Sequence, residues 1–502
     1  MVGIWLMAGS PAMSQSAWSF LTEPARQVRI TDVLEVDNGV LLSISTYNID
    51  SLPSKRSFIS KLDVFGDLTG TSRIWNDDDA TSIWSLQKDW NGSGYMALGD
   101  LWSSVGDSGF HSLRFTSDLV HLDSTIYRCQ ALTQPFLDNS IRLDNGEVII
   151  AGVGYGTSGF PVSAMQLIRI DQHGDSLDSW RVDNPGFLVA RDVIEFKPDS
   201  FMVSAFGVPL GSPIQSGIAS YSKFNTDLDL VGGFAGGTLD GSDDPLTFTN
   251  NISDHLHLSL LPSSNLIVSG RRGSGSSFRM AVQKITASGA WLAAFTPQSE
   301  FPLDYPAALR SSVLVGNELL VASMENYFYG IEVGTPFQPD MPNRIRIHKL
   351  DTALNLLCTN VLDGFAENAY YWLDRIKATS DGGYILCGGR VDLNAPTFEF
   401  AGWAQKFGPD DCFTGFDELA GGQEAVVYPN PGTDQFTLNL NGAMRDAQVV
   451  LFSVTGQAVA SGWLRNGSVT ISTAELLPGV YAYRVIDRAG TERASGRWVK
   501  TE

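Results

Sequence analysis

Short apolar runs recur along the first four-fifths of the chain, and each follows a turn rich in Gly, Asn, Asp or Ser. In the clearest copy, an Asp-Gly-Gly turn precedes the apolar run Tyr384 to Cys387, and a second run ends at Lys406-Phe407. Runs of this length after turn residues predict β-strands, and we find no sustained apolar pattern at helical spacing. The sequence therefore predicts an all-β protein.

The turns recur with a nearly constant period. They align at seven positions: Gly39, Ser93, Gly146, Asp199, Ser264, Asn317 and Gly382. The intervals between them are 54, 53, 53, 65, 53 and 65 residues. Small and polar residues at these positions favour two-residue hairpins. A second marker follows each turn, a basic residue before an apolar one: Lys61-Leu62, Arg114-Phe115, Arg169-Ile170, Lys223-Phe224, Lys284-Ile285, Lys349-Leu350 and Lys406-Phe407.

About four short strands in a period near 53 residues predict a β-propeller. Seven units close a ring without help from another chain, so we expect a monomer. The seventh unit lacks a good fourth strand, whereas residues 17–21 supply a spare strand before the first unit. We therefore expect the N-terminal strand to close the ring and to remove an open sheet edge.

The unit from Asp381 to Asp410 resembles the repeat of bacterial secreted β-propeller proteins, and this resemblance extends over residues 17–416. It implies a fold and leaves the function open, because propellers host enzymes, adhesins and scaffolds alike. We assign residues 15–416 to a seven-bladed β-propeller and residues 417–424 to a linker.

Residues 425–502 alternate short strands with Gly and Asn turns, which predicts a small Ig-like β-sandwich. Their motifs resemble, in order and spacing, the type A C-terminal sorting domain of the bacterial type IX secretion system. The matching residues are Tyr428, Pro429, Asn430, Pro431, Gly456, Pro478, Gly479, Tyr481 and Lys500. The resemblance implies export through the periplasm to the outer surface or the medium, with the type IX machinery as a partner. Pro429 and Pro431 favour an extended first strand, and Pro478-Gly479 favours a tight turn.

The formal net charge of −21 argues against nucleic-acid binding and permits surface calcium. Residues 1–14 resemble the end of a secretory signal peptide and are too short to span a bilayer. No other segment is long enough for a transmembrane helix. Four Cys residues are too few for a disulfide framework, so we favour buried apolar roles for them, with one disulfide as the alternative.

Three chemical motifs have ordinary structural alternatives. His255 and His257 alternate along one strand as metal ligands can, but ordinary strand residues are the favoured interpretation. Gly154 to Gly159 fit a dinucleotide pattern, yet Phe160-Pro161 follow where a helix would be required, so no cofactor is predicted. A glycosidase needs two carboxylates across a cleft, and the sequence places no such pair. We therefore assign no catalytic or metal-binding residue.

The long connections predict where a ligand binds. The longest loop between second and third strands, 326–342, contains Tyr327, Phe328, Tyr329 and Phe337 together with three Pro residues. Aromatic side chains on loops stiffened by proline bind at low entropic cost; capping the channel or packing on their own blade is the alternative. We expect an exported protein that binds or scaffolds an unknown extracellular glycan or protein. The alternative is an extracellular propeller hydrolase that acts on glycan or protein.

Overall fold

The computed structural model divides the chain into two compact units, residues 1–412 and 413–502. It describes residues 18–22, 24, 28–47, 55–73, 79–89, 94–103, 108–128, 134–155, 163–184, 187–197, 199–208, 218–236, 256–274, 277–327, 339, 341–396, 399–409, 425–440, 447–453, 458–465, 467–486 and 492–501. These residues are almost entirely strands and turns, with one short helix, so the all-β prediction is confirmed.

The described residues of the first unit form seven antiparallel sheets. Sheets 1 to 3 follow one another in the chain, and the strands of each pair in sequence order. Sheet 1 has β2 (Val28–Val36), β3 (Gly39–Tyr47), β4 (Lys55–Leu62) and β5 (Leu68–Arg73). Sheet 2 has β6 (Asp79–Lys88), β7 (Gly94–Ser103), β8 (Gly109–Thr116) and β9 (His121–Arg128). Sheet 3 has β10 (Gln134–Arg142), β11 (Val148–Tyr155), β12 (Ser163–Ile170) and β13 (Ser176–Asn184).

Sheets 4 to 7 repeat this order with two variations. Sheet 4 has β14 (Phe187–Lys197), β15 (Ser200–Val208), β16 (Ile218–Asn225) and β17 (Leu230–Gly236). Sheet 5 has β18 (His257–Leu260), β19 (Leu266–Ser274), β20 (Ser277–Ile285) and β21 (Trp291–Phe295). Sheet 6 splits its first strand into β22 (Asp304–Pro306) and β23 (Ser312–Val315), followed by β24 (Glu318–Glu325), β25 (Arg344–Asp351) and β26 (Leu356–Asp363). Helix α1 (Gly364–Glu367) then leads to sheet 7, with β27 (Ala369–Ala378), β28 (Tyr384–Asp392), β29 (Phe400–Phe407) and, as its fourth strand, β1 (Trp18–Leu21).

This strand order gives each sheet two distinct ends. The turn end carries the connections between the first and second strands and between the third and fourth. The loop end carries the connection between the second and third strands and the passage to the next sheet. The first strands are largely buried, whereas fourth strands such as β9 and β21 are mostly exposed.

Both faces of the sheets are buried, which explains the continuous apolar runs in the sequence. In β3, Val40 and Leu42 pack toward sheet 7, whereas Leu41 packs toward sheet 2. Among the described residues, one apolar cluster joins each consecutive pair of sheets from 1 to 7. A further cluster joins sheet 7 to sheet 1. The packing therefore forms a closed cycle.

The N-terminal strand completes the last sheet. Strand β1 pairs antiparallel with β29 from Trp18 opposite Lys406 to Leu21 opposite Trp403. Trp18 is only 7% exposed and belongs to the cluster between sheets 7 and 1. The pairing predicted for this strand is confirmed, and it covers an edge of β29 that would otherwise be open.

The basic residue that marks the repeat fixes turns at the turn end of several sheets. In sheet 7, Lys406 is fully buried and its Nζ lies 2.6 Å from Asp381 Oδ2, within the turn between β27 and β28. In sheet 3, Arg169 donates to the carbonyl of Thr226, in a turn of sheet 4, at 2.6 Å. A buried cation is tolerated here because a carboxylate or carbonyl pairs with it.

The turns themselves differ from the expected hairpins. Two-residue turns occur in sheets 1, 4 and 6, but five residues separate the paired strand ends in sheets 3, 5 and 7. In the longer turns a buried residue such as Leu143 or Leu261 donates its N–H to the carbonyl four residues later. The prediction of two-residue hairpins was wrong for sheets 3, 5 and 7, and side chains such as Leu143 and Leu261 anchor the longer turns in the apolar clusters.

The described residues of the second unit form two antiparallel sheets around one apolar cluster. The first sheet contains β30 (Ala425–Tyr428), β31 (Gln435–Leu440) and β34 (Ser468–Ser472). The second contains β33 (Ala458–Leu464), β32 (Ala447–Phe452), β35 (Gly479–Ile486) and β36 (Glu492–Lys500). Both sheets contribute buried side chains to the cluster, in which Trp498 is fully buried and lies edge-on to Phe436.

Two further predictions concern the cysteines and membrane spans. Cys387 is free and buried in the strand predicted for it, whereas Cys358 is buried and disulfide-bonded, which is the alternative that the sequence left open. Within the described ranges, no helix is both long enough and apolar enough to cross a membrane.

Candidate functional site

A row of four charged residues crosses the loop end of sheet 6. Asp304 pairs with Glu325, Glu325 with Arg344, and Arg344 with Asp363 in the strand register. Residues directly opposite one another in antiparallel strands point to the same face. The register therefore brings three carboxylates and one guanidinium together from parts of the chain that are distant in sequence.

Glu325 is the most heavily bonded member of this row. Its Oε1 lies 3.2 Å from Arg346 Nη1 and accepts hydrogen bonds from the Ser299 hydroxyl and the Glu300 backbone N–H. Its side chain is only 2% exposed. A buried carboxylate with this many donors is held in one orientation, so Glu325 ties the segment after β21 to the sheet.

Asp304, its neighbour in the row, is fully buried. Neither carboxylate oxygen meets hydrogen-bond geometry with a described residue, and the nearby Ser323 hydroxyl does not meet it either. Burial, with a smaller contribution from the Glu325 charge, raises the pKa of Asp304 to about 6. The Ser323 hydroxyl and the guanidinium groups of Arg346 and Arg279 partly oppose that rise in pKa. Asp304 is therefore a carboxyl group that changes charge near neutral pH.

Arg344 carries the row to the surface and organises two aromatic rings. Its guanidinium lies over Phe365 at 5.1 Å and over Phe301 at 6.0 Å, and the two rings stack 5.6 Å apart. Its Nε lies 3.3 Å from Asp363 Oδ1, and its Nη1 lies 3.5 Å from Glu300 Oε2. The Asp363 side chain also caps α1 by accepting the Phe365 N–H. These contacts fix the orientation of Phe365, which is 38% exposed.

The predicted binding loop begins beside this site. Tyr327 is 5% exposed and stacks on Tyr305 at 4.2 Å, with Trp372 at 5.8 Å. Burial holds the pKa of Tyr327 well above its ordinary value. Asn326 donates to the Pro342 carbonyl at 2.8 Å, which ties the two ends of the loop together. Phe328, Tyr329 and Phe337 lie outside the described residues, so the role of the loop stays a prediction.

Of the two candidate metal ligands, only His257 lies within the described residues. His257 is 1% exposed, and its Nδ1 accepts a hydrogen bond from the Ser311 backbone N–H at 3.0 Å. This geometry gives it an ordinary structural role, as favoured from the sequence. His255 lies outside the described residues. In the part of the chain that the structure describes, no group of three or more His, Cys, Asp or Glu side chains is arranged to hold a metal ion.

In the second unit, the Pro-rich motif joins the two ends of the fold. The Pro429 carbonyl accepts a hydrogen bond from Trp498 Nε1 at 2.7 Å, and Asn430 Oδ1 accepts the Val499 N–H at 3.0 Å. Lys500 Nζ donates to the Thr433 carbonyl at 2.7 Å. The extended first strand expected through Pro429 and Pro431 instead ends at Tyr428, and a bend follows in which both X-Pro peptide bonds are cis. The prediction of an extended strand through both prolines was wrong because hydrogen bonds to β36 hold this segment against the last strand.

The remaining motif residues occupy different surroundings. Tyr428 is 47% exposed and its hydroxyl accepts a hydrogen bond from Asn439. Tyr481 is buried and donates to the Leu477 carbonyl at 2.6 Å. Gly479 begins β35 directly after the bend at Pro478. Gly456 lies outside the described residues.

Comparison with known proteins identifies the second unit. Residues 426–497 match the family of the secretion system C-terminal sorting domain. This match supports a type IX sorting domain at the C-terminus and indicates secretion to the cell surface or beyond. No curated protein matches the chain.

Solved structures that resemble the chain are distant from it in sequence. A fungal alcohol oxidase in complex with copper is 11% identical, with a TM-score of 0.45, over 97% of this chain and 100% of that one. An ulvan lyase, which is a polysaccharide lyase, is 8% identical, with a TM-score of 0.48, over 78% of this chain and 94% of that one. An α-L-arabinanase of Penicillium chrysogenum is 11% identical, with a TM-score of 0.40, over 65% of this chain and 93% of that one. The fold of this chain follows from its own strand pairing and packing.

Sequence reasoning missed Asp304, Glu325, Arg344 and Phe365. The only signal in the sequence was the position of the first three at strand ends beside long connections. That signal does not distinguish them from other charged residues at strand ends, because the row exists only through pairing across sheet 6.

Proposed function

We propose that the chain is an exported binding protein in which a seven-bladed β-propeller presents the ligand site and an Ig-like sandwich directs secretion. The closed cycle of apolar clusters between sheets supports the propeller. The sorting-domain match supports the export route. The N-terminal strand closes the cycle within one chain, which supports a monomer.

The observation that carries the binding proposal is the pair Phe301 and Phe365 on Arg344 at the loop end of sheet 6. Aromatic residues, Met and Arg are enriched at recognition surfaces, and ordered side chains lose little entropy on binding. Met341, three residues before Arg344 in the chain, is 54% exposed. The ligand class is an extracellular glycan or protein. Phe328, Tyr329 and Phe337 lie outside the described residues, and their part in binding stays a prediction from the sequence.

The binding test compares Phe365→Ser with Phe65→Ser in the full-length secreted protein. Phe65 is 69% exposed and lies in a turn at the opposite end of its sheet. Both proteins are screened against arrays of bacterial and host glycans and of surface proteins, after circular dichroism has established folding. We expect Phe365→Ser to bind the glycan or protein captured on the arrays at least about tenfold more weakly than Phe65→Ser does. Equal affinities for the two variants would contradict the proposal.

A hydrolase acting on glycan or protein is the second candidate, and Asp304 is the observation that favours it. A buried carboxyl with a pKa of about 6 beside a second carboxylate resembles the environment of a general acid. Against it, Asp304 is fully buried and Glu325 is bonded to Arg346, Ser299 and Glu300. Hydrolysis of a polysaccharide or protein substrate that Asp304→Asn abolishes, while folding is retained, would replace the binding proposal.

A further inference from the structure

Within the part of the chain that the structure describes, the fourth strand of sheet 4 has a free edge. Strand β17 reads LVGGFAG, without a charged residue or a proline. Within the described residues it pairs only with β16, so the backbone N–H and C=O groups on its other side face outward. Fourth strand β9 carries Asp123 and Arg128, whereas β21 (WLAAF) is uncharged like β17 but contains no glycine. Charges on an edge strand discourage pairing with another chain, and β17 lacks that protection.

Two glycines give this edge a depression. An open hollow of about 460 Å³ is lined by Tyr221, Leu230, Phe234 and the two glycines 232 and 233, among others. Gly233 is required by its surroundings, because a Cβ there would lie 2.6 Å from the Tyr221 carbonyl oxygen. Gly232 has no such requirement, since a Cβ would meet nothing within 4 Å. The space above Gly232 is therefore open to a side chain from outside the sheet.

The borders of the depression define what fits it. Leu230 and Val231 are 57% and 55% exposed, and Phe234 forms an apolar wall by stacking on Tyr221 at 4.8 Å. Asp227 and Asp229 are both exposed at the start of the strand. A large apolar side chain fits above Gly232, and a basic residue fits beside Asp229.

We propose that the free edge of β17 binds an extended peptide strand with an apolar centre and a basic residue at one end. Main-chain hydrogen bonds to an open sheet edge supply affinity, and pockets for alternate side chains supply specificity. A second copy of this chain is the less favourable occupant, because each copy carries a net charge of −21 and two copies repel. The site is separate from the aromatic pair at the loop end of sheet 6, so the two proposals are independent.

The test uses a fluorescein-labelled Lys-Thr-Val-Phe-Val-Thr peptide and the full-length protein, with affinity read by anisotropy. Gly232→Lys adds a charge to the edge, and Gly70→Lys is its matched control. Gly70 of β5 lies opposite Lys61, just as Gly232 of β17 lies opposite Lys223. A Cβ added at either glycine would meet no atom within 4 Å. We expect Gly232→Lys to weaken binding at least about tenfold and Gly70→Lys to leave it unchanged. The same peptide N-methylated at alternate residues loses binding.

A second variant keeps the test decisive if Gly232→Lys fails to fold. Asp229→Lys should weaken binding of the Lys peptide and improve binding of a peptide in which Glu replaces that Lys. Equal binding by the wild type and both glycine variants would overturn the proposal, as would equal binding of the N-methylated peptide. Sedimentation that shows a wild-type dimer dissociated by Gly232→Lys would also overturn it, because the occupant would then be a second copy.

Discussion

Arg375 and Asp32 form a buried ion pair between the last sheet and the first. Arg375 Nε lies 3.3 Å from Asp32 Oδ1, and the two side chains are 2% and 0% exposed. Arg375 also donates to the carbonyls of Thr31 and Trp84, and Asp32 Oδ2 accepts the Leu86 N–H at 2.7 Å. One pair of side chains therefore links sheets 7, 1 and 2, at the place where the cycle closes.

We expect Arg375→Met to destabilise the first unit by about 3–5 kcal/mol, because it leaves a buried carboxylate with one cation fewer. Lys377 Nζ, 2.7 Å from Asp32 Oδ1, remains as a partial partner. Urea unfolding followed by fluorescence measures the loss. Lys88→Met is the matched control: it breaks the pair with Asp37, whose members are 56% and 96% exposed, and should cost about 0–1 kcal/mol. Similar costs for the two variants would refute the closing role of Arg375.

Gly66 and Trp18 make a second contact at the closure. Gly66 has a φ of +89°, and a Cβ there would lie 2.9 Å from Trp18 Cγ. We expect Gly66→Ala to cost about 2 kcal/mol or more, since backbone strain and displacement of the indole add together. Thermal unfolding with Trp fluorescence as the probe checks this. Gly70→Ala, in open space four residues later, should stay within about 0.5 kcal/mol of the wild type, and an equal loss there would point to a general strand effect.

Local signals were enough to predict most strands and the role of the N-terminal strand. Turn residues followed by apolar runs depend on neighbours in sequence, and residues 17–21 were visible as a spare strand before the first unit. The row from Asp304 to Asp363 could not be predicted, because it depends on register across sheet 6. For Tyr327 the sequence left both a binding role and packing on its own blade open. Its buried ring packs on Tyr305, from the first strand of the same sheet, which the local sequence does not place beside it.

The sorting unit gives a prediction about export. Removing residues 425–502 should leave a folded first unit that accumulates in the periplasm, because the apolar cluster of the second unit contains only its own residues. Cell fractionation with immunoblotting measures the distribution, and circular dichroism checks folding. Leu477→Ala, which alters a 77% exposed residue of the same module, serves as a control for folding and expression. Normal levels of the truncated protein at the surface or in the medium would contradict the assignment.

Asp304 gives a prediction about pH. Its pKa in the folded protein is about 6, above the ordinary value of 3.8. The folded state binds the proton of the Asp304 carboxyl more tightly than the unfolded state does. The stability that this protonated carboxyl contributes is therefore complete below about pH 4. That stability is lost as pH rises through about 6. The loss should amount to about 3 kcal/mol. Unfolding in urea at half-unit pH steps measures it.

We expect Asp304→Asn to remove this loss of stability with rising pH. The variant should also be more stable than the wild type above about pH 7, since a neutral amide carries no charge to bury beside Glu325. Glu300→Gln is the control, because Glu300 is 82% exposed at the edge of the same site and its removal should leave the pH dependence in place. If Asp304→Asn and the wild type lose stability in parallel between pH 4 and pH 7, the buried carboxyl is not the titrating group. The hydrolase proposal would then lose its general acid as well, because a carboxyl ionised throughout that range has no proton to donate at neutral pH.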